Sequence, residues 1–162
     1  MKIVNERLFL KYAIPCSTVL IKRGSVSKNL MRSVKTDLVS GKPIKTDIRK
    51  IFKVAYIMCS IIAKKMGKNE IDDEVIRKYF WLEHEKAIKW RMKIHKDIDV
   101  KSCLCYLARI VKSGKSIMAK TSSCIVKVKN DFVPEIKNGD LAVIHYDYIV
   151  EKISDEDFKK FK

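Results

Sequence analysis

The chain has 162 residues, 47% of them apolar and 33% charged, and a net charge of +16. That length and apolar content suffice for one ordinary domain or two small ones with a real core, and they exclude a disordered chain. Five cysteines at irregular spacing exclude a disulfide-stapled module, because they form no framework of pairs.

In chain order, "MKIVNERLFLKYAIPCS" opens the sequence with Glu6, Arg7 and Lys11 among its apolar residues. No continuous apolar region of a secretory signal forms, and the expected compartment is the cytoplasm. "NERLFLKYA" reads as a short helix and "SVSKNLMRSVKTDLVSG" as another, joined by a loop around Pro15 and Gly24. "SGKP" at 40–43 is a turn. Residues 46–66 put Ile48, Ile51, Phe52, Ala55, Ile62 and Met66 on one stripe, with Thr46 or Asp47 to cap the helix and Gly67 to end it. Its apolar centre, 51–63, falls short of the roughly 20 residues that a membrane span needs, so no membrane association is expected. A second long helix is predicted over 70–94, on the series Val75, Tyr79, Leu82 and Lys86, acidic early and basic late.

After Asp99 the period changes from about 3.6 to 2. "CLCYLARIVK", "SIMAKTS", "SCIVKVK" and "LAVIHYDYIVEKI" read as strands, with "SGK" and "KNGD" as hairpin signals. At least four strands in about 60 residues predict a small antiparallel barrel of OB or similar type, because closure removes the edges of so small a sheet. "SDEDFKKFK" carries a Ser/Asp cap, an acidic first turn and a basic end, which predicts a short terminal helix. The fold class is therefore α+β: a helical domain, residues 1–99, followed by an OB-like antiparallel β-barrel with a short C-terminal helix, residues 100–162.

Charge is uneven between these parts. Residues 1–101 hold 24 basic and 11 acidic side chains, and residues 102–162 hold 11 and 8. Within the first part, residues 20–68 hold 13 basic and 2 acidic, which creates a field for an anionic partner. Lys22, Arg23, Lys28, Arg32, Lys35, Lys42, Lys45, Arg49 and Lys50 are the candidate partner-binding residues. An acidic protein face and nucleic acid both satisfy such a field, and a solvated lysine-rich surface has the same composition.

Few motifs carry chemistry. No nucleophile elbow, paired-carboxylate motif or dinucleotide fingerprint is present, and "KSGKS" at 112–116 lacks the first glycine of a P-loop, so the chain is read as a non-enzyme. Cys16 and Cys59 read as buried small hydrophobes. His84 stands between Glu83 and Glu85, but neighbours diverge on a helix, so no ligand cluster follows; His95 reads as a partner of a helix C-terminus. Cys103 and Cys105 share one face of a strand, as do Val143, His145 and Asp147.

A resemblance sharpens two of these residues. "SCLCYLARIV" followed by "NGDLAVIHYDYIVEKISDEDF" is similar to HypC-type nickel-iron hydrogenase maturation chaperones, whose pattern is Met-Cys-Leu-Ala-Ile-Pro-Gly-Lys-Ile/Val-Val and later Gly-Asp-Tyr-Val-Leu-Val-His-Val-Gly-Phe-Ala-Ile-X-Lys-Ile/Leu. Cys103, Leu104, Arg109, Ile110, Val111, Gly139, Asp140, His145, Ile149, Lys152 and Ile153 match it. Leu107 and Ala108 depart from the family's Pro-Gly, and Cys103 lies far from the N-terminus. The whole chain is similar to an uncharacterised prokaryotic family that joins a helical domain to such a barrel, through "LFLKYAIPCS", "YFWLEHE" and "GDLAVIHYDYIV".

The resemblance implies a metal-binding accessory or chaperone in hydrogenase or related metal-centre maturation, with a HypC-like barrel. It implies Cys103 and His145 as carriers of iron as the Fe(CN)2CO precursor, with Asp147 orienting the imidazole, and an acidic partner such as a metalloenzyme subunit or maturation factor. Cys105 reads as packing. The alternative from another class is a nucleic-acid-binding protein in which the basic helices and the OB-like barrel track phosphates.

Overall fold

Each early helix starts on a side chain suited to the task. Asn5 Oδ1 accepts from the Leu8 N–H at 3.0 Å and starts α1 (Glu6–Ala13), after a two-residue strand, β1 (Lys2–Ile3). The computed structural model that shows this describes residues 1–92 and 103–160, in two units, Met1–Val100 and Lys101–Lys162. A 3-10 turn (Ile14–Cys16) and α2 (Ser17–Lys22) follow, where the sequence predicts a loop around Pro15. Proline does not break the structure here because it sits in the first turn, where its missing N–H has no partner to lose. Ser27 caps α3 (Lys28–Val39), and the Arg7 guanidinium donates to the Leu38 and Lys42 carbonyls at its other end.

The helix expected over 46–66 is divided. Asp47 caps α4 (Ile48–Ile51), Phe52 leaves helical geometry, and α5 (Lys53–Lys65) continues to Gly67, whose φ of +69° suits the end of a helix. The division rotates the apolar stripe. Ile48, Phe52 and Ile62 are buried as expected, but Cys59 and Ala63 complete the buried face in place of Ile51, Ala55 and Met66. The strand β2 (Glu70–Ile71) pairs in parallel with β1, and Asp72 caps α6 (Asp73–Lys78).

The helix then changes pitch. Residues Tyr79–Glu83 form a π turn before α7 (His84–Met92). In an uninterrupted α-helix residues five apart lie roughly 140° apart around the axis, whereas the i to i+5 spacing of a π turn stacks them. Tyr79 and His84 accordingly meet edge to face at 5.0 Å, while Leu82, expected on the apolar stripe, is 48% exposed. Phe80 is the hub of the buried rings, 5.0 Å from Tyr12, 4.7 Å from Tyr79 and 6.3 Å from Phe9. Trp81 Nε1 donates to the Tyr12 hydroxyl at 2.7 Å, tying the π turn to α1.

The second unit is a five-stranded antiparallel sheet: β3 (Cys105–Lys112), β4 (Ile117–Lys120), β5 (Ile125–Val128), β6 (Leu141–His145) and β7 (Tyr148–Ile153), in the order β5-β4-β3-β6-β7. Its two edges meet at one parallel bridge, Lys129 with Tyr148, where Lys129 N–H donates to the Asp147 carbonyl and Ile149 N–H to the Lys129 carbonyl. That contact closes the sheet into the partly open, OB-like barrel expected. The run "LAVIHYDYIVEKI" is two strands, because Tyr146 takes a φ of 56° and turns the chain over Tyr146–Asp147. "KNGD" is a turn rather than a hairpin loop, since β5 and β6 are not neighbours. Ser154 caps the terminal helix α8 (Asp155–Lys160).

No helix among the described residues is long and apolar enough to cross a membrane. The ring hub and the π turn lead to a stability prediction. Phe80→Ala is expected to cost about 3–5 kcal/mol and Trp81→Phe about 1 kcal/mol, read from urea midpoints. Leu82→Ala should change stability by less than about 0.5 kcal/mol; a cost above 2 kcal/mol would show that Leu82 faces the core and that the π turn is absent.

Candidate metal sites

The cysteine and histidine side chains able to hold a metal form a pair in each unit. In the helical unit, Cys16 ends the 3-10 turn after α1 and His84 begins α7 just after the π turn. The Cys16 sulfur lies 3.9 Å from His84 Nε2. With Zn–S near 2.3 Å and Zn–N near 2.0–2.1 Å, the sulfur-to-nitrogen edge of a tetrahedral zinc site is roughly 3.6 Å, so this pair needs little movement to share an ion. His84 is buried, held between the Tyr79 and Phe80 rings at 5.0 and 5.2 Å.

Both residues were passed over in the sequence. Cys16 reads there as packing, and His84 as excluded from any cluster by its diverging acidic neighbours. The ligand partner of His84 is 68 positions away in the chain. The one signal available was the neighbouring pattern: Cys16 ends "LFLKYAIPC" and His84 lies in "YFWLEH", two of the segments that carry the whole-chain resemblance.

In the β unit, Cys103 precedes β3 and His145 ends β6, and the Cys103 sulfur and a His145 ring nitrogen lie within 4.8 Å of each other. The proximity follows from register, because Cys105 pairs directly with His145. Both residues are buried, His145 completely. His145 Nε2 is 3.0 Å from the Cys103 carbonyl oxygen. A carbonyl only accepts, so Nε2 is the donor and carries a proton. Fixing one ring nitrogen through a carbonyl is how proteins commonly orient a histidine ligand.

Asp147 does not take the role expected for it. Its carboxylate pairs with Lys129 Nζ at 2.5 Å and holds that ammonium above its ordinary pKa. The expected shared face ends with the strand at His145, since the Tyr146–Asp147 turn redirects the chain. Cys105 is desolvated, and burial, reinforced by Cys103 and Glu151, pushes its thiol well above the ordinary range. It remains a neutral neighbour rather than a thiolate. His95 lies outside the described residues.

The nine candidate cations of the helical unit belong to several elements and loops. Lys28, Arg32 and Lys35 follow one another along α3, at helical spacing. Lys45 and Arg49 line an open cavity of 610 Å3 with Lys2, but Glu6 and Asp47 share its wall and Asp47 pairs with Arg49 at 2.8 Å. Lys22, Lys42 and Lys50 are exposed, and Arg23 is half-buried.

A thiol and an imidazole together suit zinc, iron and the other borderline late first-row metals better than magnesium or calcium, which prefer oxygen. Each pair supplies two donors of the four that a tetrahedral zinc shell takes. No family model matches the chain, and no curated protein matches it.

None of the five cysteines is in a disulfide, and their environments differ. Burial pushes the Cys59 thiol up to about 12, whereas Cys124 is exposed. Burial keeps the Cys59 thiol both protonated and out of reach at pH 8, so alkylation by iodoacetamide is expected to modify Cys124 first and Cys59 last. Peptide mass spectrometry of a time course checks the order, and comparable rates at the two positions would contradict it.

Proposed function

We propose that this chain is a metal-binding accessory protein, in which Cys103 and His145 hold a thiophilic late first-row cation and Cys16 and His84 form a second donor pair. The observation that carries this reading is the buried Cys103–His145 pair, whose sulfur and a ring nitrogen lie within 4.8 Å, with His145 Nε2 bonded to the Cys103 carbonyl. The metal would supply a Lewis-acidic or redox-capable centre. The protein's own contribution is to desolvate the donors and to fix the His145 ring through its Nε2 bond to the Cys103 carbonyl.

The finer reading rests on the resemblance to HypC-type chaperones. In it the cargo is an iron precursor of the Fe(CN)2CO kind, accepted by Cys103 and His145 and passed on to an acidic metalloenzyme subunit or maturation factor. The exposed cations on α3 suit the docking of such a partner through charge complementarity. Cytoplasmic location agrees with this role and with five cysteines outside any disulfide.

The test is a cobalt titration of the metal-free protein, followed by its thiolate-to-metal charge-transfer bands, with zinc as competitor. Two ions per chain, each lost with its own pair of substitutions, support the proposal. One ion per chain that is lost with Cys103→Ala or His145→Ala supports the β-unit pair as the carrier. Absence of thiolate bands, or bands that survive Cys103→Ala and His145→Ala, would refute it. For the iron cargo, protein isolated anaerobically from its host should show CN and CO infrared bands that disappear in Cys103→Ala; equal iron in wild type and variant removes that reading and leaves the metal pair standing.

A further inference from the structure

The sum of charge in the second part of the chain conceals a separation. Residues 102–129 contain six basic side chains, Arg109, Lys112, Lys115, Lys120, Lys127 and Lys129, and no aspartate or glutamate; all eight acids of this part follow Asn130. In the fold, residues 105–128 are three adjacent strands, so the separation along the chain becomes a separation over the surface. Ala108, Ile110, Ala119 and Val128 point inward and are buried. The opposite face of the same strands is therefore the outer one.

Register sets the pattern of that outer face. Arg109 pairs with Lys120 and Lys120 with Ile125, giving one row across the three strands; Lys112 pairs with Met118 and Met118 with Lys127, giving the next. Cations thus alternate with exposed apolar groups, Ile125 at 58% and Val111 at 41% exposure. Two lysines of the unit are paired with acids, Lys152 with Asp140 and, at the margin of this stretch, Lys129 with Asp147. Among the described residues Lys112, Lys115, Lys120 and Lys127 have no such carboxylate.

We infer that the outer face of β3, β4 and β5 binds single-stranded nucleic acid. Its lysines meet phosphates, while Ile125, Met118 and Val111 cover the faces of unstacked bases. An acidic peptide added as a sixth strand fits less well. Strand addition needs an open edge, and the chain beyond β5 is already taken by the Lys129–Tyr148 bridge. The face is independent of the Cys and His pairs.

The experiment is fluorescence anisotropy of the full chain with a labelled single strand of about 12 mixed-sequence nucleotides, at about 50 and about 200 mM salt. For four lysine–phosphate contacts the expected slope of log affinity against log salt is about −3. The double reversal Lys120→Glu with Lys127→Glu should weaken binding at least roughly tenfold at the lower salt and flatten that slope, and the Gln pair should fall between it and wild type. Ile125→Ser should lower affinity with the slope unchanged. Circular dichroism of each variant confirms the fold, which substitution at exposed positions should leave intact. Absence of salt-sensitive binding would overturn the inference. So would loss of binding on Lys28→Glu with Arg32→Glu while the strand reversal has no effect, or competition by poly-glutamate equal to that of the unlabelled strand.

Discussion

The arrangement of the helical unit depends on one change of pitch. If residues 73–92 formed a single α-helix, His84 would share a face with Phe80 but lie far around the axis from Tyr79. The π turn over Tyr79–Glu83 instead aligns Tyr79 and His84, at 5.0 Å, and turns Leu82 outward. A π turn has poorer hydrogen-bond geometry than an α turn, so it persists only where packing compensates. Here that compensation is the hub of Phe80 on Tyr12, Phe9 and Tyr79, reinforced by the Trp81–Tyr12 hydrogen bond. The same packing that stabilises the unit holds the imidazole beside the Cys16 sulfur.

The β unit reaches a comparable pair by a different route. Strand register puts Cys105 opposite His145, and Cys103, two residues earlier, approaches the ring through both its sulfur and its backbone carbonyl. One residue thus presents a donor and orients its partner. Placing Asp147 in a turn frees it to pair with Lys129, and that turn carries the bridge which closes the barrel. The hairpin that ends the His145 strand is therefore also part of what completes the sheet.

Charge is organised at two scales. Along the chain the first part is the more basic, but the structure scatters its cations over α2, α3 and the loop before α4, and places two of them beside Glu6 and Asp47. The barrel has the smaller net charge, yet three neighbouring strands hold cations without a single acid, and the acids cluster in the remaining elements. Net charge measures a long-range field, whereas a binding face depends on what stands next to what.

Much of the local structure was legible in the sequence. The change of period near residue 100, the caps Asp47 and Ser154, and the closure of a small sheet all follow from short-range rules, because the groups concerned are neighbours in the chain. Cys103 and His145 could be singled out only by resemblance, since nothing in a strand pattern distinguishes a ligand from a packed side chain. Three features were decided by tertiary structure alone: the break at Phe52, the π turn that joins His84 to Cys16, and the pairing of Asp147 with Lys129. Each depends on a side chain meeting a partner distant in sequence, Phe52 on Phe9, His84 on Cys16 and Asp147 on Lys129. Local propensity contains no term for such contacts, and packing at those points outweighs it.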